Sequence, residues 1–274
     1  MMSTRSLSFA LFLWFVTMFP GSALCQDEPG GAEEKDWLEY YYQEPTPGRF
    51  VDQMKSWAED GTLDNEYAVP ALIAFISQVI RQNKAELAGW YDSLAGLDPK
   101  HRQILHTGML FSRTEEADEL LRERYGERYD EQKEETPRIL ELPLDKRSTL
   151  DMLWGFFYAT GSEGAIRRIV LCMRFAEAPD ELEGIDIPEG YRPLYTELPY
   201  AAVNMLIANG IRHPRVFEIC KKLYREDDSL IPVEKFLLYE VLSDLDPVEF
   251  PPEDSPQPAR AAPEPAGEEE DEEE

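Results

Sequence analysis

The chain has 274 residues, of which 55 are acidic and 27 are basic, and its formal net charge at pH 7 is −28. A surface this negative repels nucleic acid phosphates and anionic lipid headgroups, which excludes nucleic acid as a partner. Basic proteins and cations are the compatible partners, and charge that serves solubility alone is the simpler interpretation. Because 43% of the residues are hydrophobic, there is enough apolar material for one sizeable core.

The N-terminus has the three parts of a secretory signal peptide. Arg5 supplies a positive charge, residues 7–19 form an apolar run, and small residues precede Cys25. The sequence therefore predicts a signal peptide at residues 1–25 and an exported protein, either periplasmic or secreted. The apolar run is shorter than the ~20 residues of a membrane-spanning helix. No later segment approaches that length, so we expect no membrane span in the mature chain.

Cys25 raises the alternative of a bacterial lipoprotein, in which this cysteine becomes the lipidated first residue of the mature chain. That signal normally carries a small residue directly before the cysteine, and here Leu24 occupies the position. We therefore expect no lipid anchor. Cleavage after Cys25 and cleavage after Ala23 both agree with the small residues around the site.

From residue 37 to residue 246 the hydrophobic residues follow a helical period. Thr46-Pro47 and Asp98-Pro99 each place a capping side chain before a proline, which is a common start of a helix. Other helices are expected to begin near Pro70, Thr114, Leu150, Ser162, Tyr200, Pro214 and Pro232. The predicted fold class is all-α, an antiparallel helix array or a short α-α superhelix, in one domain spanning residues 37–246.

Four segments are predicted to lie outside the helices. Residues 26–36 are expected to form a flexible linker behind the signal peptide. Residues 127–144 form a charged connection interrupted by prolines, and residues 178–198 form a longer one. Long connections of this kind are often functional. Residues 247–274 are rich in Pro, Ala and Glu and end in a run of acids, so we expect a disordered tail.

The chain carries no recognisable catalytic motif. It lacks a nucleophile elbow, a glycine-rich phosphate loop and a Cys-x-x-Cys pair. His101 and His106 are five residues apart, whereas two zinc ligands on one helix face need a spacing of about three or four. His213 precedes Pro214, where it is expected to cap a helix or to sit in a turn. We therefore predict no metal site and no cofactor.

Six residues are candidates for a binding role: Tyr40, Tyr41, Tyr42, Tyr191, Tyr195 and Asn204. Three consecutive tyrosines cannot all face one core, so at least one ring of the triplet should be exposed, and exposed aromatics mark binding surfaces. Tyr191 and Tyr195 lie in the longer connection. Asn204 interrupts an apolar helix and is expected to be buried, where its amide needs partners. Packing of the triplet and a helix–helix hydrogen bond from Asn204 are the structural alternatives.

Two cysteines, Cys172 and Cys220, remain if Cys25 is removed with the signal peptide. In an oxidising compartment they could form a disulfide, which would stabilise the fold by about 2–4 kcal/mol. Each lies in an apolar helical stretch, where a cysteine also serves as a small hydrophobic residue. We favour two unpaired core residues over the disulfide.

Five parts of the sequence carry a resemblance to known proteins. They are Tyr41-Tyr42 with Pro47 and Phe50, residues 70–77 with Gln82-Asn83, Trp90, residues 150–161, and His213-Pro214-Arg215-Val216. Together they resemble an uncharacterised family of exported bacterial α-helical proteins, over roughly residues 40–223. The resemblance implies a bacterial source and a periplasmic or surface location. It implies no activity and no substrate.

Two functional hypotheses follow from the sequence. The first is a non-catalytic protein- or peptide-binding module of the bacterial cell envelope, in which a groove and the 178–198 connection hold an envelope protein or peptide. The alternative is a secreted hydrolase with a carboxylate-based site that acts on envelope polysaccharide. An enzyme of this kind should bring two or more acids with raised pKa values into one cleft, whereas a binding module should present an apolar or aromatic patch.

Overall fold

The computed structural model describes residues 36–177 and 197–256. Within these ranges the chain forms twelve α-helices and no strand, which confirms the predicted all-α helix array. The helices are α1 (Trp37–Tyr40), α2 (Phe50–Glu59), α3 (Val69–Gln82), α4 (Leu87–Ser93), α5 (Pro99–Ser112), α6 (Glu115–Tyr125), α7 (Glu127–Glu135), α8 (Arg147–Thr160), α9 (Glu163–Val170), α10 (Leu198–Arg212), α11 (Pro214–Glu226) and α12 (Pro232–Leu245).

Helix α3 is the most deeply buried element of the N-terminal half. Every residue from 74 to 80 is buried, and the helix packs extensively against both α8 and α5. Two glycines permit these close approaches. A methyl group added to Gly155 on α8 would overlap the carbonyl oxygen of Ala71, and one added to Gly108 on α5 would lie 2.5 Å from Cγ2 of Ile76. The backbones of α3 and α8 are therefore almost in direct contact.

Helices α9 to α12, together with the 3-10 segment Leu171–Glu177, form the second group of packed elements. A buried carboxylate links two of them. Glu234, which is completely buried, accepts hydrogen bonds from the backbone N–H of Ile231 at 2.9 Å and from Nε of Arg174 at 2.7 Å. The carboxylate thus caps the start of α12 and pairs with the guanidinium, which satisfies a charge that would otherwise be costly to bury.

The cysteines of the described ranges, Cys172 and Cys220, belong to this second group and are both free. Cys172 and Cys220 are completely buried among hydrophobic residues. Burial raises the pKa of each thiol to about 12. Both side chains therefore pack as small hydrophobic groups.

The ordered domain extends beyond residue 246, where the sequence predicts the start of a disordered tail. Phe250 is 5% exposed, and its ring lies 5.8 Å from the Tyr239 ring and 6.2 Å from the Tyr224 ring. The Tyr239 hydroxyl donates to the carbonyl oxygen of Pro251 at 2.7 Å. Residues 247–256 thus pack on α11 and α12 through the buried Phe250 ring, the hydrogen bond to Pro251 and the ion pairs of Glu249 with Lys221 and Arg225. Residues 257–274 lie outside the described ranges.

The connection predicted over residues 127–144 is partly helical. Gly126, with φ of 63°, separates α6 from α7. Helix α7 is rich in Glu, Gln, Lys and Arg, which are good helix formers although they carry charge. Its one buried residue is Tyr129, whose hydroxyl donates to the Asp118 carboxylate on α6. Ion pairs of Asp130 with Arg122 and of Lys133 with Asp118 also attach α7 to α6. A single buried ring gives no hydrophobic period in the sequence.

The predicted signal peptide at residues 1–25 and nearly all of the predicted linker lie outside the described ranges. The first described residue, Asp36, accepts hydrogen bonds through Oδ1 from the backbone N–H groups of Leu38 and Glu39, and so caps α1. None of the described helices is both long enough and apolar enough to cross a membrane.

Replacement of Gly155 by alanine should destabilise the protein, because the added methyl group forces α8 away from α3. We expect the free energy of unfolding to fall by about 2–3 kcal/mol. Gly89 is a matched control, since it is a helical glycine with nothing within 4 Å of an added methyl group. Gly89→Ala should stabilise by about 0.5–1 kcal/mol. Urea unfolding of both variants measures the difference, and equal stabilities would contradict the α3–α8 contact.

Candidate functional site

The tyrosine triplet lies mostly inside the protein. Tyr41 is 1% exposed, and its ring meets the rings of Trp37 and Phe75 edge to face, each with centroids 5.3 Å apart. Tyr40 and Tyr42 are half-buried. Contrary to the sequence-based expectation, no ring of the triplet is fully exposed.

Two of these tyrosines surround a buried histidine. The ring centroid of His213 lies 4.7 Å from that of Tyr40 and 5.9 Å from that of Tyr42, and His213 is completely buried at the start of α11. The backbone N–H of Tyr42 donates to the Tyr158 carbonyl of α8 at 2.9 Å. These contacts attach the N-terminal segment to α8 and α11, so the geometry favours a packing role for the triplet.

Asn204 is exposed, so the prediction that it is buried is wrong. The buried face of α10 passes through Ala202 and Asn209, and Asn204 lies about 200° around the helix from Ala202. The buried amide is Asn209. Its Oδ1 accepts a hydrogen bond from the Tyr158 hydroxyl at 2.7 Å, and its Nδ2 donates to the Met205 carbonyl at 2.9 Å. The helix–helix hydrogen bond expected of position 204 is thus made by position 209.

Tyr191 and Tyr195 lie outside the described ranges. The described chain stops at Glu177 and resumes at Glu197, directly before α10. Most of the 178–198 connection therefore belongs to neither range. No group of three or more histidines, cysteines or acids within the described ranges could hold a metal ion.

An apolar groove of about 830 Å³ lies between residues 62–73 and helix α5, and we call it the α5 groove. Its apolar wall is formed by Val69, Pro70, Ile73 and Ile104. Its polar rim is formed by Asp64, Glu66, Lys100 and Gln103. The volume falls within the roughly 300–1,000 Å³ of typical ligand pockets, which combine an apolar wall with a few polar groups. This groove has the features expected of a binding module.

A short turn before α3 builds one side of the α5 groove. Gly61, with φ of 83°, begins the turn, and the buried side chain of Leu63 fastens it to the core. The Asn65 side chain accepts a hydrogen bond from the backbone N–H of Tyr67 at 3.1 Å. The result is that Tyr67 stands at the edge of the groove with 79% of its surface exposed.

One ion pair spans the rim of the α5 groove. Lys100 Nζ lies 2.8 Å from Oδ1 of Asp64, and His101 Nε2 lies 3.2 Å from Oδ2. The hydrogen bonds from Lys100 and His101 lower the pKa of Asp64, and the Asp64 hydrogen bond raises the pKa of Lys100. Glu66, also on the rim, is exposed and has no ion pair with any described residue.

A hydrogen-bond chain leads from the groove to a buried histidine. The Tyr125 hydroxyl lies 3.2 Å from Oε1 of Gln103, a groove residue, and 2.6 Å from Nδ1 of His106. His106 is 4% exposed, and its Nε2 has no hydrogen-bond partner among the described residues. Burial, together with the charges of Arg124 and Arg102, lowers the pKa of His106 to about 4. The imidazole is therefore neutral at pH 7.

The groove was only partly visible in the sequence. Ile73 and Ile104 lie in the helices that the sequence predicts to begin near Pro70 and at Asp98-Pro99, but Glu66 and Tyr67 were not among the candidate residues. A signal for them does exist, since Tyr67 is an aromatic residue in a polar stretch directly before a helix start, outside the apolar face of any helix.

Comparison with protein-family models, curated protein sequences and solved structures found no match. The resemblance to an exported bacterial family stays a prediction.

The buried His106 should make the protein less stable as the pH falls. Its pKa is about 4 in the folded chain and about 6.5 in the unfolded chain. Between these values the unfolded chain binds more protons, so acidification favours unfolding. From pH 7 to pH 4.5, the wild type should lose on the order of 1–3 kcal/mol more stability than His106→Gln, which cannot titrate. Urea unfolding across this range tests the difference, and parallel profiles would contradict it.

Proposed function

We propose that this protein is a non-catalytic peptide-binding module of the bacterial cell envelope, and that the α5 groove receives an apolar segment of its partner. The observation that carries the proposal is the α5 groove itself. It has a volume of about 830 Å³, an apolar wall and the exposed ring of Tyr67 at its edge. Exposed aromatics beside an apolar depression are typical anchor points of protein interfaces. The envelope location rests on the predicted signal peptide.

The α5 groove lacks the features of a carboxylate-based hydrolase. A general acid needs a raised pKa so that it holds a proton at neutral pH. The pKa of Asp64 is instead lowered by its pairing with Lys100, so this acid is ionised. Burial raises the pKa of Asp151, but this residue lies on α8 and does not line the groove. These observations favour binding over hydrolysis at this site.

Selection from a random displayed peptide library on the full-length protein tests the proposal. We expect enriched peptides with large apolar side chains, and an affinity for Ile73→Gln that is lower by at least about tenfold, because the substitution places an amide on the apolar wall. Fluorescence anisotropy of the labelled peptides measures both affinities.

Ile207→Gln is the matched control, because Ile207 is likewise half-buried but lies on α10, outside the groove. This variant should bind the selected peptides like the wild type, while thermal unfolding confirms that both variants are folded. The proposal is abandoned if no peptide is enriched, or if the two glutamine variants lose affinity equally.

A further inference from the structure

We propose that the α5 groove selects a cationic partner, namely a polypeptide segment with a large apolar side chain and a lysine or arginine close to it in sequence. This inference rests on the proposed function and deepens it. In our assignment the apolar side chain occupies the wall at Val69, Ile73 and Ile104, and the cation lies at the mouth of the groove against Glu66 and Tyr67.

The first observation is the balance of charge at the rim. Lys100 is the one cation among the described residues that line the groove. Asp64 is its ion-pair partner at 2.8 Å, and Asp98 and Glu66 also lie close enough to raise its pKa. Among the groove residues two carboxylates, those of Asp64 and Glu66, thus oppose one ammonium group, so the rim is negative and an anionic ligand gains little from Lys100.

The second observation is that Glu66 is free to accept a new partner. Its carboxylate is exposed and forms no ion pair with any described residue. Asp64, by contrast, is already held by Lys100 and His101. A ligand cation can therefore pair with Glu66 without breaking an existing interaction of the protein.

The third observation is the aromatic residue next to this carboxylate. Tyr67 is 79% exposed and lines the same groove as Glu66. An ammonium or guanidinium group is attracted to the face of an aromatic ring as well as to a carboxylate. An exposed ring and an unpaired acid that line the same groove both favour a basic side chain, whereas an acidic or neutral side chain would gain from neither group.

The net charge of the whole protein also favours a basic partner. At −28 the chain repels acidic polypeptides at long range and attracts basic ones, which raises their rate of encounter. This long-range attraction alone does not distinguish one site from another. The local arrangement at Glu66 and Tyr67 supplies the site, and the distinction between the two effects is part of the test.

The test uses the peptide best bound by the full-length protein, resynthesised with lysine, glutamine or glutamate two residues from its large apolar side chain. In an extended peptide these two side chains lie on the same face, roughly 6–7 Å apart. We expect the lysine form to bind about three- to tenfold more tightly than the glutamine form, and the glutamate form to bind most weakly. The preference should decrease as salt is added.

Variants of the protein locate the effect. Glu66→Gln and Tyr67→Leu should each reduce the preference for lysine over glutamine, while the glutamine peptide still binds. Glu131→Gln is the matched control, because Glu131 is an exposed acid on α7 that lines no part of the groove. It changes the net charge by the same amount as Glu66→Gln and should leave the preference unchanged.

The outcomes separate this inference from the proposed function. Equal binding of the three peptides, still weakened by Ile73→Gln, would keep the apolar groove and overturn the cationic partner. An equal loss of preference in Glu66→Gln and Glu131→Gln would show attraction by net charge only, and would also overturn the site. Failure of the library to yield any groove-dependent peptide would remove both proposals.

Discussion

The close contact between α3 and α8 is the constraint on which the rest of the N-terminal half depends. A side chain at position 155 would occupy the space of the Ala71 carbonyl group. The distance between the axes of α3 and α8 is therefore one that only glycine at this position permits. Gly108 of α5 sets the distance between α5 and α3 in a similar way, because it lies against Ile76 of α3. Because packed interiors transmit small displacements, these two glycines fix the positions of three helices at once.

The packing of α3 against α5 determines the shape of the α5 groove. Its wall combines Ile73 of α3 with Ile104 of α5, so the spacing set at Gly108 also sets the width available to a ligand. The opposite part of the groove comes from the turn at residues 61–68, which Leu63 anchors and the Asn65 side chain shapes. Helices α3 and α5 therefore supply the apolar wall together with Lys100 and Gln103, and the turn supplies Asp64, Glu66 and Tyr67.

Helical periodicity was sufficient to predict the fold class and most helices, because their buried faces are continuous stripes. It was insufficient where one residue determines the outcome. Tyr129 is the one buried residue of α7, Phe250 is the one buried residue of segment 247–256, and a change of position on the α10 helix separates exposed Asn204 from buried Asn209. Glu66 and Tyr67 were absent from the sequence-based candidates for a related reason, because only the tertiary contact with helix α5 makes them part of a groove.

Burial of Cys172 and Cys220 has a consequence for the reactivity of these two thiols. Burial raises the pKa of both thiols to about 12, which disfavours the thiolate, and the thiolate is the species that attacks oxidants and disulfides. Folding therefore protects Cys172 and Cys220 from oxidation without pairing them. Oxidants reach these thiols only when the segment Leu171–Glu177 or helix α11 is unpacked, so oxidation of Cys172 and Cys220 would report on the opening of this part of the protein.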